Sequence, residues 1–429
     1  MKKVFKSISE SLFKELKSDE DVILSFSGEN SQFIRFNNAS VRQTGLVDDA
    51  DIELKFISNN RICGGGFTIS GNMEIDLARG KHEIERMRNE ANELPEDPFL
   101  VLPKNLGSSN VVKEASGLKF EDSIDAILPA MSGTDFVGIL ANGKMFRGNA
   151  NSKGQNHWFE TDTYSLDYSL VTSNHQMVKG SFSGSDWNQD EYESYVNRSK
   201  EKLSLMERKP IKIKTGDYRT WFESAAVSDF LGMFSWNGIS EASLRQGCSG
   251  FGKMRHNDAR LSPKFSVIED FSPGYCPKFN SDGEVAPDEL ALIEAGKLKN
   301  TLISSRSAKE YGLQSNYAEN GEFLRSPRMA IGNLNQNDVV KELDRGLFLS
   351  NIHYLNWSDN PGGRITGLTR YACFWVEGGE IVAPIETMRF DDSFYRFFGD
   401  QLSEVEDRLY SNPEVGTYGG RSLGATACP

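Results

Sequence analysis

TYSLDYSLV, residues 163–171, alternates large apolar side chains with small or polar ones. Tyr164, Leu166, Tyr168 and Leu170 share one side of an extended chain, and Ser165, Asp167 and Ser169 the other. That period of two marks a half-buried strand, since a helix would scatter the same residues around its circumference. Upstream, FVGILANGKMFRG (136–148) carries an Asn142-Gly143 pair, which predicts a hairpin turn inside it. Downstream, MVKGSFSG (177–184) reads as the last strand of a meander spanning 135–184.

Working towards the N-terminus, DVILSFSGE, SQFIRF, ASVRQTG, DIELKFI and RICGGGFTI predict short strands, with a turn at Ser58-Asn59-Asn60. The CGGG run, Cys63–Gly66, sits between strands and predicts a bulge or a close strand approach, not a phosphate loop. Val4, Ile8, Leu12 and Leu16 recur every four residues and predict an amphipathic first helix. Ile84, Met87, Ala91 and Leu94 predict another, ended by Pro95, and residues 120–130 a shorter third. The charged stretch 188–209 predicts a helix whose basic run, Arg198 to Lys214, is a solvated face and linker. A domain boundary is placed near residue 205, giving domains 1–204 and 205–429. The second half holds two hairpins of one design, LIEAGKLKN (292–300) and WVEGGEIVA (375–383), each with glycine where positive φ is needed. Phe394, Phe398, Val405 and Leu409 predict a late amphipathic helix. The fold class expected is α+β, two-domain, with mostly antiparallel sheets and flanking helices.

Composition narrows the function classes. A net charge of −13 repels phosphate backbones and argues against nucleic acid as a partner. Five cysteines without a CxxC pair read as reduced thiols of a cytoplasmic protein. No apolar run approaches the ~18 residues that a membrane span needs, so no membrane partner is expected. No two of the five histidines lie within five residues, so no single helix offers zinc two imidazoles. His82-Glu83 begins like a zinc motif, but its helix face reads as exposed surface. GxSxG, Walker and dinucleotide fingerprints are missing, and Gly247–Gly252 is a loop with weak anion-binding potential.

The order of these elements resembles the TldD/PmbA family, called modulators of DNA gyrase and understood as cytosolic metallopeptidases working in pairs. The resemblance rests on FIRFNNASVRQTG (33–45), DIELKFISNNRICGGGFT (51–68), FNSDGEVAPDELALIEAGKLKNTLISSRSAKEYGL (279–313), SPRMAIGNL (326–334) and GRITGLTRYACFWVEGGEIVAPI (363–385). It implies two kinds of subunit. TldD-like chains hold zinc with the two histidines of an HExxxH helix and a distant C-terminal cysteine, while the glutamate activates water. PmbA-like (TldE-like) chains lack the motif.

Here the motif falls on TWFESAAVSDFLGMFSW, 220–236. Aligned on Leu231-Gly232, the histidine positions are Glu223 and Ser228, and the glutamate position is Ser224. A one-residue slip places Phe222 and Val227 at the ligand positions, with Glu223 as a lone base. The cysteine position falls at Thr417 or Tyr418, and Cys428 lies beyond it. The resemblance therefore implies a PmbA-like chain with no catalytic residue and no metal or other cofactor, whose helix packs a core and whose Glu223 caps the first turn or meets a partner. It also implies an extended peptide as ligand, with Arg325 and Arg328 as candidates to meet its carbonyls or carboxylate, and a homodimer or a heterodimer with a zinc-bearing TldD-like subunit. Surface salt bridges are the plainer role for both arginines, and a buried structural thiol for Cys373. Two alternatives stay open: a peptidase with scattered ligands such as His256, His353 and Glu223, and a self-associating scaffold.

Overall fold

The computed structural model describes residues 1–414 and 422–429. The first half runs α1 (Lys2–Leu12), β1 (Glu20–Asn37), β2 (Ser40–Ser58), β3 (Arg61–Thr68), α2 (Met73–Ala91), β4 (Ser109–Lys113), α3 (Ser123–Met131), β5 (Asp135–Asn151), β6 (Asn156–Val171), β7 (Met177–Gly184) and α4 (Gln189–Met206). Its seven strands form one sheet in the order β3-β2-β1-β5-β6-β4, with β7 also on β6. Every pairing in it is antiparallel except β4 with β6.

The second half runs β8 (Thr220–Phe222), α5 (Ser224–Ser235), α6 (Glu241–Arg245), α7 (Gly252–Arg255), β9 (Val267–Asp270), β10 (Glu289–Glu294), β11 (Lys297–Leu298), α8 (Ser305–Tyr311), β12 (Pro327–Met329), α9 (Val339–Leu343), β13 (Gly346–Asp359), β14 (Arg364–Glu377), β15 (Glu380–Pro384), β16 (Arg389–Ser393), α10 (Phe394–Phe397), β17 (Tyr410–Glu414) and β18 (Ser422–Ala427). It builds a six-stranded sheet, β11-β10-β9-β12-β18-β17, and a five-stranded one, β15-β14-β13-β8 with β16 on β14. The fold is α+β with mainly antiparallel sheets, as the alternation at 163–171 predicts.

Several sequence expectations need correction. The four short strands between residues 21 and 57 are two long ones, β1 and β2, paired from Glu20↔Ser58 to Asn37↔Ser40 with one register shift at Arg35/Phe36. The Asn142-Gly143 pair makes no turn. It lies inside β5, because β1 and β6 bond that strand on both sides and overrule the local preference. Gly143 keeps a positive φ of 137° there, and a Cβ on it would stand 2.4 Å from the Asn30 carbonyl oxygen. The reversal comes at 152–155, where the Asn151 side chain accepts the N–H groups of Lys153 and Gln155.

The helix expected from Phe394 to Leu409 is only one turn, α10. Phe394 is buried within that turn, and Phe398 and Val405 are carried into the core by the irregular chain after it. At the N-terminus, Phe5, Ile8 and Leu12 form the buried face of α1, while Leu16 lies beyond the helix. Leu94 likewise lies past the end of α2, although Ile84, Met87 and Ala91 are buried as expected.

Both glycine hairpins form as read, with positive φ at Ala295-Gly296 and Gly378-Gly379; Asn59-Asn60 makes a third such turn. The CGGG run lies on β3 against α2, with the side-chain ends of Glu83 and Arg86 over Gly65 and the Arg86 guanidinium donating to the Gly64 carbonyl at 3.1 Å.

Burial is divided among a few clusters. One joins α1 and α2 to the large sheet through Phe5, Phe26, Phe56, Met87 and Trp158. Another surrounds α5 in the second half. A third takes Phe136, Tyr168, Tyr192 and Val196 from before residue 205 and Phe348, Phe374 and Val376 from after it, so apolar packing fixes the two halves against each other. Among the described residues, no helix is long and apolar enough to cross a membrane.

Candidate functional site

Where the halves meet, α4 and β7 face α5, β13 and β17 across a cleft of about 820 Å³. The sequence of α5 explains its place. Ala226, Val227, Phe230, Leu231, Met233 and Phe234 are buried in the core around it. Ser224, Ser228, Gly232 and Ser235 recur at near-helical spacing and line the cleft. The small residues keep the cleft open while the aromatic ones hold the helix down.

Glu223 stands at the start of this helix. β8 runs parallel to β13, pairing Phe222 with Leu349, and the Glu223 N–H donates to the Leu349 carbonyl at 3.0 Å. The residue holds the N-cap position, yet its side chain caps nothing. Its carboxylate instead receives the Lys202 ammonium from α4, at 2.5 Å and 2.6 Å to its two oxygens. The ammonium also lies 5.5 Å from the centre of the Phe348 ring. A charge-assisted pair thus bridges the cleft between the two halves.

The other charged groups sort into engaged and free. Lys179 pairs with Asp167 at 2.5 Å. Arg198 donates to the Ser194 hydroxyl at 3.0 Å and covers the Tyr195 ring. Glu406 is buried, accepts the Tyr410 hydroxyl at 2.6 Å, and is pushed up from the usual carboxylate range by that burial. Asp229 opens towards the solvent of the cleft, and the protein crowded around it pushes its carboxyl upwards.

The structure brings Glu223, Ser224 and Ser228 together along the cleft. Of the slipped register, Val227 is buried in the core and Phe222 packs edge-on against Phe230. Ser224 Oγ lies 3.5 Å from the Asn412 amide oxygen. Tyr418 and Thr417 lie outside the described residues. Arg325 lines the cleft, but its guanidinium donates to the backbone carbonyls of Phe279 at 2.9 Å and Lys278 at 3.2 Å, and covers the Phe271 ring. Arg328 lies elsewhere, on Asp270 at 2.6 Å. Both arginines are held by internal contacts.

Cys373 is buried, its thiol near the Arg370 carbonyl and pushed up to about 11 by burial. His353 lies against the Tyr354 ring at a tilt of 44°, and His256 ends α7; neither lines the cleft.

Residues 215–428 match the model of the PmbA/TldA metallopeptidase C-terminal domain. Through this half the chain belongs to the PmbA/TldD family. Solved structures of the same fold extend the likeness over the whole chain. A Thermotoga maritima protein named as a candidate modulator of DNA gyrase superposes with a TM-score of 0.76 at 16% identity, covering 99% of this chain and 97% of that one. TldE from Thermococcus kodakarensis gives 0.74 at 16% identity, covering 99% and 97%. A Bacteroides thetaiotaomicron protein, also named as a candidate modulator of DNA gyrase, gives 0.71 at 15% identity, covering 100% and 97%. No curated protein sequence matches the chain.

The family name raises the question of zinc, and the residues at the expected positions do not fit it. Zinc favours imidazole, thiolate or an uncommitted carboxylate. Of the two histidine positions, one is Ser228 and the other is Glu223, whose carboxylate is bound by an ammonium; the cysteine position lies outside the described residues. Among the described residues, no cluster of three or more His, Cys, Asp or Glu side chains is arranged to hold a metal.

Sequence reasoning missed Lys202, because it sits in a basic run that reads as solvated surface. Asp229 has no place in the motif, and the available signal for it is an acid set inside the apolar stretch 220–236.

Proposed function

We propose that this chain is a PmbA/TldE-like, non-catalytic member of a metallopeptidase family, which holds an extended peptide in the α5 cleft beside a zinc-bearing TldD-like chain. One observation carries the reading: the helix at the family's zinc position presents two serines and an ion-paired glutamate to an open cleft. The cleft's volume falls in the range of ligand sites, roughly 300–1,000 Å³. Residues of β7, β13 and β17 line it beside α5, which suits a chain bound in extended form. The fold shared with TldE supports the subunit type.

The test is fluorescence polarisation of labelled, unfolded casein fragments with the purified chain, followed by gel analysis of the same samples. Binding without cleavage is expected, with cleavage appearing once a zinc-bearing TldD-like chain from the same cell is added. Chelator-sensitive cleavage by the lone chain would refute the non-catalytic reading. Failure to bind any fragment would refute the peptide-holding one.

A further inference from the structure

We propose that Asp229 is a subsite for a cationic group of the bound peptide, so that the cleft selects ligands carrying an ammonium or guanidinium. The inference rests on the peptide-binding reading above and gives it a ligand class. The cations lining the cleft all have partners: Lys179 on Asp167, Lys202 on Glu223, Arg198 on the Ser194 hydroxyl and the Tyr195 ring, and Arg325 on backbone carbonyls. Asp229 has none among the described residues. Its carboxyl opens on the cleft and makes no hydrogen bond or ion pair there. Space lies next to it as well, since a Cβ built on Gly232, one turn further along α5, would meet nothing within 4 Å.

A carboxylate in a concave, partly desolvated wall is stabilised by a cation that brings its own N–H donors. A divalent metal would need several further oxygen ligands, and no metal-holding cluster exists among the described residues. A carboxylate-bearing ligand would face Asp229 with no free guanidinium to offset it. What fits is a lysine or arginine side chain, or a free peptide amino terminus.

Calorimetric titration of alanine-based hexapeptides separates these sources. The four probes are an acetylated peptide with a central lysine, the same peptide with norleucine, a norleucine peptide with a free amino terminus, and an acetylated peptide with glutamate. At least one cationic peptide should bind about tenfold more tightly than acetylated norleucine. Asp229→Asn should remove that preference while leaving the norleucine affinity and the melting temperature unchanged, and Asp229→Glu should retain it. Equal affinity for all four peptides would overturn this inference and leave the peptide-binding reading standing. Preference persisting in Asp229→Asn would place the subsite elsewhere and overturn the assignment. No binding by any peptide would overturn both.

Discussion

Glu223 holds an N-cap position, where a short polar side chain would bond the first free N–H groups of the helix. Its longer carboxylate reaches Lys202 instead, with both side chains 24% exposed. Partial exposure limits what the pair contributes to stability. A double-mutant cycle of Glu223→Gln and Lys202→Met should return a coupling of about 1 kcal/mol by urea denaturation. A coupling near zero would mean that the bridge between the halves is incidental.

Glu241 is the opposite case, with its side chain 1% exposed between Arg245, Arg255 and Thr301. Burial alone would raise its carboxyl; hydrogen bonds from Arg255, Thr301 and Arg245 outweigh that and hold it at about 2, against 4.5 for a free side chain. A depressed acid stabilises the fold above its unfolded pKa and loses that contribution as pH falls through the folded value. The stability gap between the wild type and Glu241→Gln should therefore be full above pH 4.5 and shrink towards pH 2, by roughly 3 kcal/mol. Glu269 has the reverse sign. Burial pushes it up to about 7, so its cost is present above that pH and is relieved in acid. Glu269→Gln should accordingly stabilise the fold more at pH 8 than at pH 5.

α5 is the element on which the site depends. Phe230 is fully buried and meets the rings of Phe222, Phe397 and Phe398. Phe230→Ala should cost ~3–5 kcal/mol, read from thermal or urea unfolding, as large core truncations do. Ser228→Ala, on the cleft face, should cost less than about 0.5 kcal/mol. The apolar positions of this helix were legible in the sequence because 3.6-residue periodicity reports burial directly. The length of the strands was less so. Gly28 and Gly143 look like breaks, and Asn142-Gly143 looks like a turn, yet pairing on both flanks carries the chain straight through. Local propensity is a weak prior wherever two neighbours supply the hydrogen bonds. The stretch from Phe394 to Leu409 fails for a related reason: its apolar residues are core residues, and burial does not require that the chain between them be helical.

At the scale of the whole molecule, the site arises only where the halves pack together. Lys202 comes from α4, Glu223 and Asp229 from the edge and face of α5, and Phe348 from β13. Twenty-one residues separate the two members of the ion pair in sequence, with a proline-marked connection between them. No spacing rule announces such a pair, which is why the motif positions were legible and their partner was not. The central claim of the function proposed above is that the Lys202–Glu223 ion pair stands where TldD-like chains would hold zinc. Its most direct test is calorimetric titration of zinc into chelator-stripped protein, run in parallel on Glu223→Gln. We predict no site tighter than about micromolar in either protein; one zinc per chain bound at nanomolar affinity, and lost in Glu223→Gln, would contradict the account.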